Sequence, residues 1–138
     1  MGQKVKVAAA VPPVTRKPYT ISEAELFDRV ETDLEAYRAA IRRAKDEACI
    51  AVGFTELILG LGEWTAARNY ECLDVLGRAE EMTSSVMRDA ARKNEIYVAY
   101  CLNAVEGDTV ANTGFFMGRD GDEIGRYQKG QLPPQGLY

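Results

Sequence analysis

Any chemistry in this chain has to be built without imidazole, because its 138 residues include no histidine. Serine–histidine–aspartate catalysis, cysteine–histidine catalysis and histidine-ligated zinc are therefore beyond the chain by itself. Proton transfer near neutral pH falls to carboxylates, lysine, cysteine or tyrosine with displaced pKa values. The carboxylate in the most unusual setting is Glu56, which follows at once on the short apolar run Cys49–Phe54 within CIAVGFTELILGLG. In open α/β sheets ligands bind beyond the carboxyl ends of strands, so an acid there is placed to hold or move a proton. The same residue also reads as an ordinary solvated loop acid. Lys129 is a cation close to a turn, and it too has a plain reading as a solvated surface charge. Of the three cysteines, Cys49 and Cys101 lie inside apolar runs, where a thiol behaves as a small inert hydrophobe, and Cys72 reads as a loop thiol. Their odd number and wide spacing suggest neither a disulfide framework nor a zinc site, so all three read as reduced.

The elements that must position these groups can be read in outline. Val5–Val11 is a short apolar run stopped by Pro12 and Pro13, and it predicts a first strand buried on both faces. Thr15–Tyr19 is a basic connection with no evident role. Ser22 and Glu25 form an S-x-x-E capping box, the mark of a helix start. Phe27, Val30, Leu34, Tyr37, Ile41, Ala44 and Ala48 then recur at steps of three and four, laying one apolar stripe along that helix. Cys49–Phe54 is the second strand, which makes a βαβ unit with a parallel pair. Gly60 and Gly62 allow a tight path after Glu56, with Trp64 as a pocket wall. Ala66–Gly77 has no clear periodicity. Glu80–Lys93 predicts a second helix ended at Asn94, and Ile96–Ala104 a third strand. Thr113–Met117 and Glu123–Tyr127 flank Gly118-Arg119-Asp120-Gly121, the signature of a hairpin.

Three of these segments, in this order, carry a resemblance: AVGFTELILGLG, NEIYVAYCLNAVEGDTVANTGFFMGRDGDEIGRY and RYQKGQLP. With Glu56 after the second strand, Asn112-Thr113 opening one hairpin strand and Arg126-Tyr127-Gln128-Lys129 closing the other, the chain resembles the amino-terminal half of the nitrilase (carbon–nitrogen hydrolase) superfamily, from about Val5 to Pro133. The resemblance implies an α/β fold, an incomplete αββα sandwich, with residues 1–138 forming a partial carbon–nitrogen hydrolase domain. It implies a Glu-Lys-Cys catalytic set in which Glu56 is the general base and Lys129 stabilises the oxyanion. The cysteine attacks a nitrile or amide carbon, ammonia or an amine leaves, and water hydrolyses the thioester. That mechanism uses no cofactor and no metal, which suits a chain without histidine.

The departures matter as much. The family's nucleophilic cysteine lies in a strand some way after the lysine, a supporting glutamate usually lies between them, and many relatives carry a histidine where this chain has Gly130-Gln131-Leu132. The expectation is a truncated or split enzyme, inactive alone, whose uncovered apolar sheet face drives self-association or pairing with a complementary half. The other reading is a non-catalytic interaction protein using the same fold. A flavodoxin-like binding domain is disfavoured because Pro12-Pro13 stands where a phosphate-binding glycine loop belongs. The bulk numbers fit one globular domain: 46% hydrophobic residues support a core, and a net charge of −4 with 17 dispersed Lys and Arg argues against nucleic acid. No stretch approaches the roughly 20 apolar residues of a membrane span and no leader is apparent, so the expected setting is cytoplasmic.

Overall fold

The structure is a computed structural model, which describes residues 2, 4–68 and 72–130. The chain runs β1 (Val7–Ala10), α1 (Glu23–Asp46), β2 (Ala51–Phe54), α2 (Gly62–Ala66), α3 (Leu73–Asn94), β3 (Tyr97–Glu106), β4 (Thr109–Met117) and β5 (Glu123–Gln128). The five strands form one sheet in chain order, β1-β2-β3-β4-β5. β1, β2 and β3 are parallel, and β4 and β5 turn back antiparallel, so the change from crossover helices to hairpins falls where the sequence places it.

Helix α1 forms because its apolar residues share one face: Phe27, Val30, Leu34, Tyr37, Ile41 and Ala44 are all buried. Ser22 caps it, its hydroxyl accepting the Glu25 N–H at 3.2 Å. Only half of the capping box forms, since the Glu25 carboxylate pairs with Arg29 instead at 2.6 Å. Ala48 does not extend the stripe. It is exposed with φ 61°, a left-handed residue that ends the helix and leads into Cys49. Helix α3 starts at Leu73, well before Glu80, because Val75, Leu76 and Ala79 continue its buried face into the stretch where the sequence shows no clear period.

Both long helices lie on one face of the sheet. Val52, Val98, Tyr100, Leu102, Ala104, Phe115 and Met117 meet Leu26, Val30, Ile41, Met87 and Ala91 in a single core. Because side chains alternate along a strand, the intervening residues point away from the helices. No described residue covers that other face: Val7 is 65% exposed, Phe116 39% and Tyr127 71%, and a side chain added at Gly53 would meet nothing within 4 Å. The expectation that the first strand is buried on both faces is thus corrected. β1 is a short edge strand covered on one side only, and the same is true of the sheet as a whole.

Three further expectations change. Trp64 is core rather than a pocket wall, 3% exposed with its indole N–H donating to Ile21 O at 3.2 Å. Cys72 is buried at the start of α3 rather than a loop thiol. The segment that reads as a basic connection is pinned by a buried ion pair, since Lys17 donates to Asp33 and neither side chain is more than 1% exposed. Among the described residues no helix is long and apolar enough to cross a membrane. Gln131 and Leu132, where the sequence departs from the family pattern, lie outside the described residues.

Candidate active site

Glu56 and Lys129, 73 positions apart, are brought together by the fold. β2 ends at Phe54, and Glu56 stands two residues on. The turn that follows is tight because Leu57 takes a left-handed φ of 53°, which costs an L-residue about 1–2 kcal/mol. It is held by main-chain bonds from Ile58 N to Cys101 O and from Gly60 N to Leu57 O, each 3.0 Å, and by the buried Tyr37 hydroxyl donating to Ile58 O at 2.9 Å. Lys129 follows directly on β5, its N–H donating to Asn112 O of β4 at 2.9 Å. That bond sets Lys129 beside Asn112 within β4, and the ammonium meets Glu56 Oε1 at 2.8 Å.

Asn112, read from the sequence only as opening a hairpin strand, and Cys101, read as an inert strand thiol, join them. Asn112 donates through its amide NH2 to the same Glu56 oxygen, and its amide oxygen accepts the Cys101 thiol at 2.8 Å. Cys101, Asn112 and Glu56 therefore lie on the uncovered face of the sheet, opposite the helices. Cys101 is thus not simply an inert core thiol, as its strand setting suggests. It is half-buried and one bond removed from Glu56 through Asn112. Cys49 and Cys72 are buried away from this cluster. The placement of Asn112 beside Cys101 comes from the β3–β4 register: it sits opposite Asn103, one step along the same face from Cys101.

The electrostatics follow from the geometry. The hydrogen bond from Lys129, then that from Asn112 and the charge of Lys129, hold the Glu56 carboxyl below its ordinary range. Glu56 is accordingly an ionised carboxylate at neutral pH. Burial pushes the Cys101 thiol up, the Leu57 main-chain N–H offsets part of this, and the nearby Glu56 charge adds to the rise. Cys101 is therefore a protonated donor rather than a thiolate. Among the described residues no three His, Cys, Asp or Glu side chains gather as a metal site requires. The cluster can accept a proton at Glu56 and present a fixed ammonium beside it, on a face open to whatever covers the sheet.

A carbon–nitrogen hydrolase family model matches residues 11–138, nearly the whole chain. The chain belongs to the carbon–nitrogen hydrolase family. Solved structures with the same fold include a mutant of the amidase from Nesterenkonia sp. AN1 whose active-site cysteine has undergone Michael addition of acrylamide, 21% identical with a TM-score of 0.67. A crystal structure of an amidase from Nesterenkonia sp. has a TM-score of 0.65 at 21% identity. A further mutant of the Nesterenkonia AN1 amidase, described as a member of the nitrilase superfamily, gives 0.62 at 22%. These alignments cover 91% of this chain but only 45%, 43% and 44% of the three amidase chains. The chain thus spans less than half the length of these structures, and it carries their mixed α/β fold over that span. No curated protein matches it.

Proposed function

We propose that this chain is the base-bearing half of a carbon–nitrogen hydrolase of amidase or nitrilase type, acting on a small amide or nitrile. The observation that carries the reading is the 2.8 Å contact between Glu56 and Lys129, residues far apart in sequence that meet on the uncovered sheet face. In this reading Glu56 takes the proton of a nucleophilic thiol and later delivers it to the leaving amine. Lys129 stabilises the negative charge of the tetrahedral intermediate, a role worth about 3–4 kcal/mol for comparable oxyanion donors. The thiol comes from outside these residues, because Cys49 and Cys72 are buried elsewhere and Cys101 is engaged with Asn112.

The layer that covers the open face is then the other half of the sandwich, which supplies that cysteine. Its length is that of the part of the neighbouring amidases this chain does not span. Covering the face has a chemical effect as well as a packing one. Glu56 is 53% exposed here, and removing water from it raises its carboxyl toward the range where it works as a base near neutral pH. The test is ammonia release from simple amides by the 138-residue chain and by the longest natural polypeptide or complex that contains it. The chain alone is expected to be inactive and the larger form active, with Glu56→Gln and Lys129→Met each lowering kcat by about a hundredfold or more. Full activity in both variants would sink the assignment, as would hydrolysis by the isolated chain that Cys101→Ala abolishes.

The exposure of Phe116, Tyr127 and Val7 also favours a second reading, an assembly protein in which a second copy covers the same face. Size-exclusion chromatography with light scattering separates the two. A stable dimer that Phe116→Lys dissociates, with no ammonia release from any natural form, supports assembly over catalysis.

A further inference from the structure

We propose that Asn112 is a positioning residue of this site: with its amide oriented by the Cys101 thiol, it shares Oε1 of Glu56 with Lys129 and leaves Oε2 as the oxygen that exchanges a proton. The inference rests on the hydrolase reading and specifies how its base is prepared.

The orientation of the amide is decided by which atoms can donate. An ionised carboxylate has no proton to give, so the Asn112 atom facing Glu56 must be its NH2. The amide oxygen then faces Cys101, where the thiol donates to it at 2.8 Å. Polarity therefore runs one way, from thiol to amide to carboxylate. Asn112 and the Lys129 ammonium both donate to Oε1, and neither hydrogen bond goes to Oε2. A carboxylate held by two donors on one oxygen loses its freedom to rotate and keeps its other oxygen for exchange.

Asn112 does this from two directions at once. Its side chain holds Glu56, and its main-chain carbonyl accepts the Lys129 N–H at 2.9 Å. Cys101 is likewise doubled, its thiol setting the amide and its carbonyl accepting Ile58 N–H at 3.0 Å in the turn after Glu56. These two residues of adjacent strands thus fix both members of the Glu56–Lys129 couple. A residue with only a sheet-forming role would not need its side chain for this, which makes the two roles separable.

The test is a carbon-13 NMR titration of the Glu56 carboxylate in the 138-residue chain, assigned with Glu56→Gln. Asn112→Leu, which removes the donor, is expected to move the Glu56 midpoint upward. Asn112→Asp, which sets a carboxylate against a carboxylate, is expected to move it further. Cys101→Ser keeps a donor to the amide and is expected to titrate as the wild type, whereas Cys101→Ala frees the amide and shifts the midpoint part of the way. Slow hydrogen exchange of the Lys129 N–H, which bonds the main chain of residue 112, reports that each variant is folded. Should Asn112→Leu fail to fold, the near-isosteric Asn112→Asp carries the test. A wild-type midpoint in either folded Asn112 variant overturns the proposal, and one in Cys101→Ala overturns the thiol's part in it. An inactive complete enzyme would instead sink the hydrolase reading while leaving these titrations as expected.

Discussion

Replacing Lys17 by methionine asks whether the connection before α1 is held by a dry ion pair. The Lys17 and Asp33 side chains are 0% and 1% exposed. The ammonium donates to Thr15 O at 3.0 Å, to Thr15 Oγ1 at 3.3 Å and to Asp33 Oδ2, while Asp33 Oδ1 accepts the Thr15 N–H at 2.8 Å. Desolvation lowers the Lys17 pKa despite its partner, so the charge is held there at a cost that the carboxylate only partly offsets. Methionine keeps most of the stem and removes every donor, leaving a buried carboxylate with one main-chain N–H. Breaking one side of such a pair costs about 3–5 kcal/mol. That is a large share of the roughly 5–15 kcal/mol that holds a domain folded. Asp33→Leu strands the ammonium instead and falls toward the lower end of the range, because lysine can shed its proton. The double variant removes both charges and leaves the Thr15 N–H without its acceptor, at about 1–3 kcal/mol. The two singles together therefore exceed the double by about 3 kcal/mol or more, a coupling that a double-mutant cycle reads directly. Urea unfolding followed by Trp64 fluorescence is the assay. Trp64 is the sole tryptophan of the sequence and is buried, donating to Ile21 O just after that segment. A loss below about 1 kcal/mol in Lys17→Met, or additivity in the double variant, would refute the claim that this pair is shielded from water.

Three other outcomes are expected. Ala48→Gly relieves a left-handed φ of 61° at the end of α1 and should raise stability by about 0.5–1 kcal/mol after the added freedom of the unfolded chain is counted, measured as a urea midpoint. Gly121→Ala should lower stability by about 1–3 kcal/mol and reduce Tm, because φ is 86° there and a Cβ would fall 2.7 Å from Arg88 O. The folded-state pKa of Glu56 is depressed, so the unfolded chain binds the proton more tightly and the pair's contribution, present above the ordinary carboxyl value of 4.5, is lost as pH falls through the folded value. Lys129→Met removes the largest cause of that depression, and its stability should fall less than the wild type's between about pH 5 and about pH 2.

The legible parts of the molecule are those where one physical period runs long enough to be seen. The α1 stripe is such a case, and so is the Asp120-Gly121 turn, where Gly121 takes the left-handed φ that the sequence pattern requires. Glu56 beyond a strand end was also legible, and its meeting with Lys129 follows from the hairpins that return the chain. The first half of β4 was not, because Thr109–Asn112 is polar enough to read as loop. The clue was Gly107-Asp108 between two strand-like runs, where Gly107 has φ 63° and reverses the chain within the β3–β4 hairpin. Without that register, nothing in the sequence puts Asn112 beside Cys101. Lys17 was hidden for a different reason. A lysine next to an arginine reads as surface charge, and its partner Asp33 sits on the helix between two apolar residues of the core stripe, where only the folded loop reveals the pairing.

The order of the sheet has a consequence for how the molecule is made. Since β1 to β5 lie side by side in the order of synthesis, each strand docks on the one before it and none has to be inserted between neighbours already paired. Every pairing closes a loop of modest length, and the sheet can grow from one edge as the chain lengthens. The Glu56–Lys129 contact is the exception, bridging 73 positions. It cannot form until β5 has been laid down, since Lys129 directly follows that strand. The charge pair thus arises only in a molecule whose preceding strands are all in place, and a chain stalled at any earlier strand leaves Glu56 without its cation.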